Sequence, residues 1–147
     1  MDPYFASGHY RLSLSWEQKG EYEKAIDEGL LYYRSQGDDP GTFEPRFAAL
    51  RRAYASGGPQ GYWRQRLHDK LEASDPEARF GADGLATIYM NLHEREQALE
   101  SIENGICMHN PHTIMWTPII AVFDPIRSDP RYKKIFGGLG LPVTAPN

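Results

Sequence analysis

The sequence predicts an all-α fold, and three observations carry that prediction. Apolar residues recur at spacings of three and four in block after block. Glycine and proline cut the chain into blocks of helix length. No stretch shows the sustained alternation of a half-buried strand.

The first block runs from about Tyr4 to Lys19 and ends at Gly20. The second starts at Glu21 and carries Tyr22, Ala25, Ile26, Gly29, Leu30 and Tyr33 on one stripe. It stops in the turn-rich Gly37–Gly41. The third spans about Phe43 to Ser56, with Phe47, Leu50, Ala53 and Tyr54 on its apolar face. Gly57-Gly58-Pro59 ends it, and Pro59 suits the first turn of a fourth helix, where its missing N–H costs least. That helix carries Tyr62, Trp63, Leu67 and Leu71. Ser74-Asp75-Pro76-Glu77 reads as a cap and helix start. A fifth helix follows with Phe80, Leu85, Ile88, Tyr89 and Leu92. The sixth shows Ala98, Leu99, Ile102 and Ile106 and closes at Asn110-Pro111. Beyond it the pattern loosens: a short helix over 113–122 limited by Pro118, a double turn over Asp124–Pro130, and a last helix over 131–136 ended by Gly137-Gly138.

At 147 residues the chain is one ordinary domain by size, long enough to bury a core without metals or disulfides. Aromatics make up 12%, which argues against wholesale disorder. The net charge of −4 and pI of about 5.7 give no electrostatic reason to expect nucleic acid. The basic Arg46, Arg51, Arg52, Arg64 and Arg66 read as a solvated helix face. The single Cys107 rules out an internal disulfide and weakly favours a reducing compartment, hence the cytoplasm, although a membrane-anchored parent would put the segment in the periplasm. No segment approaches 18 apolar residues, so no membrane insertion of this segment is expected. The Met1-Asp-Pro-Tyr-Phe start has no signal-peptide pattern and reads as the edge of a cut-out domain.

Two blocks superpose: Leu12…Trp16…Gly20-x-Tyr22-x-x-Ala25-Ile26…Gly29 on Leu85…Tyr89…His93…Ala98-Leu99…Ile102. The offset is 73 residues, near twice a unit of about 34–38 residues. A degenerate copy, Leu50…Tyr54…Gly58…Trp63…Leu67, lies between them. On these residues the chain resembles the tetratricopeptide repeat family, most clearly through Trp16–Ile26 and then through Leu85–Leu99. The ending Val122–Tyr132 with Gly140-Leu-Pro142 resembles the terminal segment of such regions in bacterial regulatory proteins. The resemblance implies an α–α superhelix of about three hairpins, near 4–36, 43–73 and 76–110, with a cap over 113–142, all in a single domain. The chain departs from the family pattern at His93, where the turn glycine is usual, and at Trp63, where a small crossing residue is expected.

The resemblance also implies a binding role without catalysis or cofactor: a concave groove for a protein or peptide. Mapped onto this chain, the groove takes Tyr10, Leu14, Glu17 and Gln18 from the first unit. Arg52 and Ser56 come from the second, and Asp83, Thr87, Met90 and Asn91 from the third. The set lacks the Lys/Asn clamp that some family members use for a C-terminal carboxylate, so no chaperone-tail binding is expected. Three units make a short groove, which binds modestly or calls for homo-oligomerisation.

Other constellations read as structural. Cys107, His109 and His112 suit no strong zinc spacing. His93-Glu94 lacks the second histidine of a zinc-protease helix, since Gln97 stands there. Glu21, Glu23, Asp27 and Glu28 are scattered carboxylates without the enclosure that paired catalytic acids need. Trp16, Trp63 and Trp116 are expected as core anchors. Asp39, Asp75, Asp124 and Asp129 each precede proline and read as helix-start punctuation. Arg127 and Arg131 are expected to pin the tail through Asp124 or Asp129. The competing readings are a structural spacer and, more remotely, a small metal-binding protein.

Overall fold

The computed structural model describes residues 3–73, 79 and 84–138. Among them every regular element is helical and none is a strand. The order is α1 (Pro3–Gln18), α2 (Tyr22–Gln36), α3 (Pro40–Glu72), α4 (Leu85–Asn91), α5 (Arg95–Cys107), α6 (Pro111–Trp116), a 3₁₀ helix (Ala121–Ile126) and α7 (Pro130–Gly137). The chain divides into two compact units, Met1–Asp69 and Lys70–Asn147. The expected capping box at Ser74–Glu77, together with Phe80, Asp83, Gly140 and Pro142, lies outside the described residues.

In the first unit α1 and α2 form an antiparallel hairpin. Tyr22, Ala25, Ile26 and Gly29 of the expected α2 stripe are buried and Leu30 and Tyr33 half-buried, and Ala6 of α1 is buried as well. The Ser13 hydroxyl donates across the pair to the Ala25 carbonyl at 2.9 Å, an approach that a small residue permits. Gly29 has a similar role: a Cβ there would lie 2.6 Å from Phe47 Cε1, so the missing side chain lets the α3 ring seat on α2.

Helix α3 is two helical arms joined at Gly58, as Gly57-Gly58-Pro59 foretells. Gly58 has φ 57° and ψ −148°, a conformation open essentially to glycine alone. Proline next in sequence disfavours the helical region at that residue. The bend brings Gly61 so close to the first arm that a Cβ would sit 2.1 Å from the Ala53 carbonyl oxygen. Gly61→Ala is therefore expected to cost about 1–3 kcal/mol despite alanine's better helix propensity. Urea titration followed by far-UV circular dichroism checks this; an unchanged midpoint would show that the arms part freely.

The second unit packs α4, α5, the 3₁₀ helix and α7 around Leu99, Ile102, Phe123, Ile126, Tyr132 and Phe136, all at most 2% exposed. Its C-terminal segments depart from the expected 113–122 helix. Helix α6 ends at Trp116, two residues before Pro118, and the chain resumes as the 3₁₀ helix in the region read as the start of a double turn. Trp116 is 37% exposed, not a core anchor. Thr113 of α6 and Thr117 just past its end are buried, and Gly105 of α5 lies against Thr113, where a Cβ would meet Oγ1 at 2.3 Å. A crossing that close admits threonine and excludes an indole. Asn110 caps α6, accepting from the backbone N–H groups of His112 and Thr113 at 3.0 and 3.1 Å.

The tail is pinned by its arginines, with one exchange of partners. Arg127 is buried and donates to Asp124 at 2.7 Å and to the carbonyl of Ile120 at 3.2 Å. Arg131 does not pair with the Asp129 side chain as expected. Its guanidinium reaches back to Glu103 on α5, at 2.8 and 2.5 Å. Asp129 instead caps α7 through the Arg131 N–H at 2.8 Å and binds Arg95 at 2.7 Å.

Candidate functional site

The clearest internal symmetry lies in the turns. In the first hairpin the Gly20 N–H donates to the Glu17 carbonyl and the Glu21 N–H to Trp16, at 3.0 and 2.9 Å. Seventy-three residues later, His93 donates to Met90 and Glu94 to Tyr89, at 3.1 and 2.9 Å. Both are Schellman closures, in which the residue past the helix turns left-handed and the next N–H reaches back five residues. Gly20 has φ 74° and His93 φ 62°. The following residues match as well: Glu21 at φ −90°, ψ 65° and Glu94 at φ −94°, ψ 70°. The same closure also ends α2 at Gly37 and α5 at His109, so what the Gly20 and His93 turns share beyond it is the torsion of the glutamate that follows.

The candidate groove residues divide between the units. In the first, Tyr10 and Gln18 on α1 are exposed and Leu14 is half-buried. Arg52 and Ser56 on α3 are exposed. Glu17 is not a groove residue: it is 6% exposed, accepts the Tyr62 hydroxyl hydrogen bond, and lies 3.5 Å from Arg66 Nε. In the second unit Thr87 is 8% exposed and faces inward. Met90 packs against the core cluster, and Asn91 is half-buried with its side-chain amide on the Thr87 carbonyl at 2.9 Å. Asp83 lies outside the described residues.

Around Glu17 the first unit has an aromatic centre. Tyr22 stands 4.6 Å from Tyr62 and 5.2 Å from Tyr54, centroid to centroid. The Trp63 indole N–H donates to the Tyr22 hydroxyl at 3.2 Å, so Trp63 is the core anchor expected of it. Trp16 is half-buried, with the Lys19 and Lys24 ammonium groups 4.9 and 4.6 Å from its ring centroid. Burial pushes the Tyr62 phenol well above its ordinary range, and the Glu17 carboxylate adds to that. A group whose folded pKa is raised contributes stability that is present below the unfolded value near 10 and is lost as pH rises above it. The first unit is expected to destabilise above about pH 10, and Tyr62→Phe to flatten that dependence. Denaturant midpoints measured from pH 8 to 11 test this; equal slopes in both proteins would refute it.

In the second unit a pocket of about 340 Å³ opens beside the α4–α5 turn, lined by Met90, His93, Arg95, Val122, Pro125 and Ile126. Its other residues are apolar; the Arg95 guanidinium only donates, while the His93 imidazole, when neutral, has one donor and one acceptor nitrogen. Sequence reasoning missed this site, except for Met90. The available signal was His93 itself, standing where the first hairpin has glycine. Cys107 is exposed, and no three acidic, histidine or cysteine side chains among the described residues are placed to share a metal ion. Comparisons with family models, curated proteins and solved structures return no match for this chain.

Proposed function

We propose that the chain is a protein-binding module of tetratricopeptide-like hairpins, acting by surface recognition without catalysis, as part or relative of a bacterial regulatory protein. The observation that carries this reading is the turn repeated 73 residues apart, alike both in its hydrogen bonds and in the torsions of the glutamate that follows it. A hairpin repeated in backbone detail supports a modular array, since each hairpin has a face it cannot bury alone. Such arrays present side chains along helix faces, and Tyr10, Gln18, Arg52 and Ser56 offer that chemistry in the first unit.

The test is a crosslinking capture with the whole chain as bait, repeated with Tyr10, Arg52 and Asn91 replaced together by alanine. A partner lost from the folded variant is the expected result. A partner retained at full strength overturns the groove assignment. A chain that sediments as a monomer and captures nothing is a spacer.

A further inference from the structure

We propose that the pocket beside the α4–α5 turn is a docking site for a peptide segment that presents a large aliphatic side chain next to a carboxylate. This rests on the protein-binding reading and names the chemistry that one of its surfaces would take.

The first observation is a comparison the molecule makes with itself. The turns at Gly20 and His93 have the same hydrogen bonds and nearly the same torsions. A left-handed conformation disfavours any residue with a Cβ, and glycine meets the requirement without strain. At Gly20 a Cβ would meet nothing within 4 Å, so that turn selects glycine for its torsion alone. His93 (φ 62°) takes that conformation here, as His109 (φ 52°) does at the end of α5, and of the two only His93 is a residue of the pocket lining. The imidazole has no hydrogen-bond partner among the described residues, so the fold itself makes no use of its nitrogens.

The second observation is the lining. Met90, Val122, Pro125 and Ile126 form walls suited to an aliphatic side chain, and methionine adapts to its shape. A volume of about 340 Å³ is at the small end of ligand pockets, room for one or two side chains. Charge complementarity sets the rest of the ligand. Arg95 and His93 are the polar groups of the lining, and no acidic side chain is among it. Asp129 holds Arg95 through one terminal nitrogen, at 2.7 Å, while its other oxygen caps α7. A guanidinium has five N–H donors in a planar fork, so this single bond orients Arg95 and leaves donors for a carboxylate.

The test is a titration of the isotope-labelled whole chain with acetylated, amidated peptides, followed by backbone amide shifts. One peptide places leucine between glutamates, a second leucine between lysines, and a third serine between glutamates. The expected result is saturable shifts confined to residues 90–95 and 120–126 with the first peptide, and at least tenfold weaker binding of the other two. Arg95→Gln is expected to weaken the first peptide about tenfold. His93→Gly is the decisive variant: it should raise the thermal midpoint, because the strain goes, while weakening the peptide several-fold. A His93→Gly protein that is more stable and binds equally well overturns the role of His93. Equal binding of the glutamate and lysine peptides, or no binding, overturns the pocket. Saturable binding of the first peptide with shifts confined to the first unit overturns the pocket and leaves the protein-binding reading standing.

Discussion

Replacing Glu17 by alanine is expected to lower the stability of the first unit by about 3 kcal/mol, at the lower end for breaking a buried ion pair from one side. Glu17 is 6% exposed, and its partners include the Tyr62 hydroxyl and Arg66 Nε at 3.5 Å. Removing it strips the phenol of its acceptor while Tyr62 stays 1% exposed. It also takes an anion from beside a guanidinium whose side chain is only 20% exposed, and that residual exposure places the effect at the lower end. Glu17→Gln keeps an oxygen for Tyr62 but loses the charge, so its cost should be smaller, about 1–3 kcal/mol. The order alanine, then glutamine, then wild type in denaturant midpoint is the prediction. A Glu17→Ala protein with the wild-type midpoint would mean that the residue is solvated, and would restore it to the groove.

Why Glu17 was legible only as a surface residue is instructive. It is a charged side chain on the first helix of a repeat, at a register that the family resemblance turns toward the groove. Its burial depends on Tyr62, 45 residues away, and on a bend at Gly58 that aims the second arm of α3. Periodicity reports which residues share a face of one helix; it does not report which neighbour covers that face. The features that were legible are local ones. The stripe of α2 follows from spacing, the Gly58 break from Gly-Gly-Pro, and the hairpin turns from Gly20 and its counterpart His93. The tail failed for the complementary reason. Pro118 and Pro125 interrupt any 3.6-residue pattern, so the core-forming 3₁₀ helix leaves no periodic trace. Trp116 is a large apolar residue that stays 37% exposed, because α6 meets α5 through the close Gly105–Thr113 contact instead.

The pocket illustrates the same limit from the functional side. His93 was visible as a departure from the family's turn glycine, yet the residues that give the departure a use come from two separate places. Arg95 follows it on α5, while Val122, Pro125 and Ile126 arrive on the 3₁₀ helix some thirty residues later. Only the fold brings the donors and the apolar walls together.

Phe123 is where that fold is most exposed to mutation. Its ring is 1% exposed and lies in one cluster with Leu99 and Ile102 of α5, Ile126 of its own turn, and Tyr132 and Phe136 of α7. A 3₁₀ helix of six residues has little stability of its own, so its placement depends on the apolar side chains it buries. Phe123→Ala is expected to cost about 3–5 kcal/mol, the sum of lost transfer energy and an unfilled cavity. That is comparable to the whole stability of many small domains. Phe5→Ala provides the control: the same substitution at a ring that is 65% exposed should stay within about 0.5 kcal/mol. Amide exchange on the whole chain gives the readout. Phe123→Ala should raise exchange across α5 and α7 and perturb the pocket lining, because Val122 and Ile126 flank the altered residue. If exchange in α5 and α7 stays at wild-type levels, the 3₁₀ helix is an appendage to the second unit's core, and the pocket wall it provides loses its structural basis.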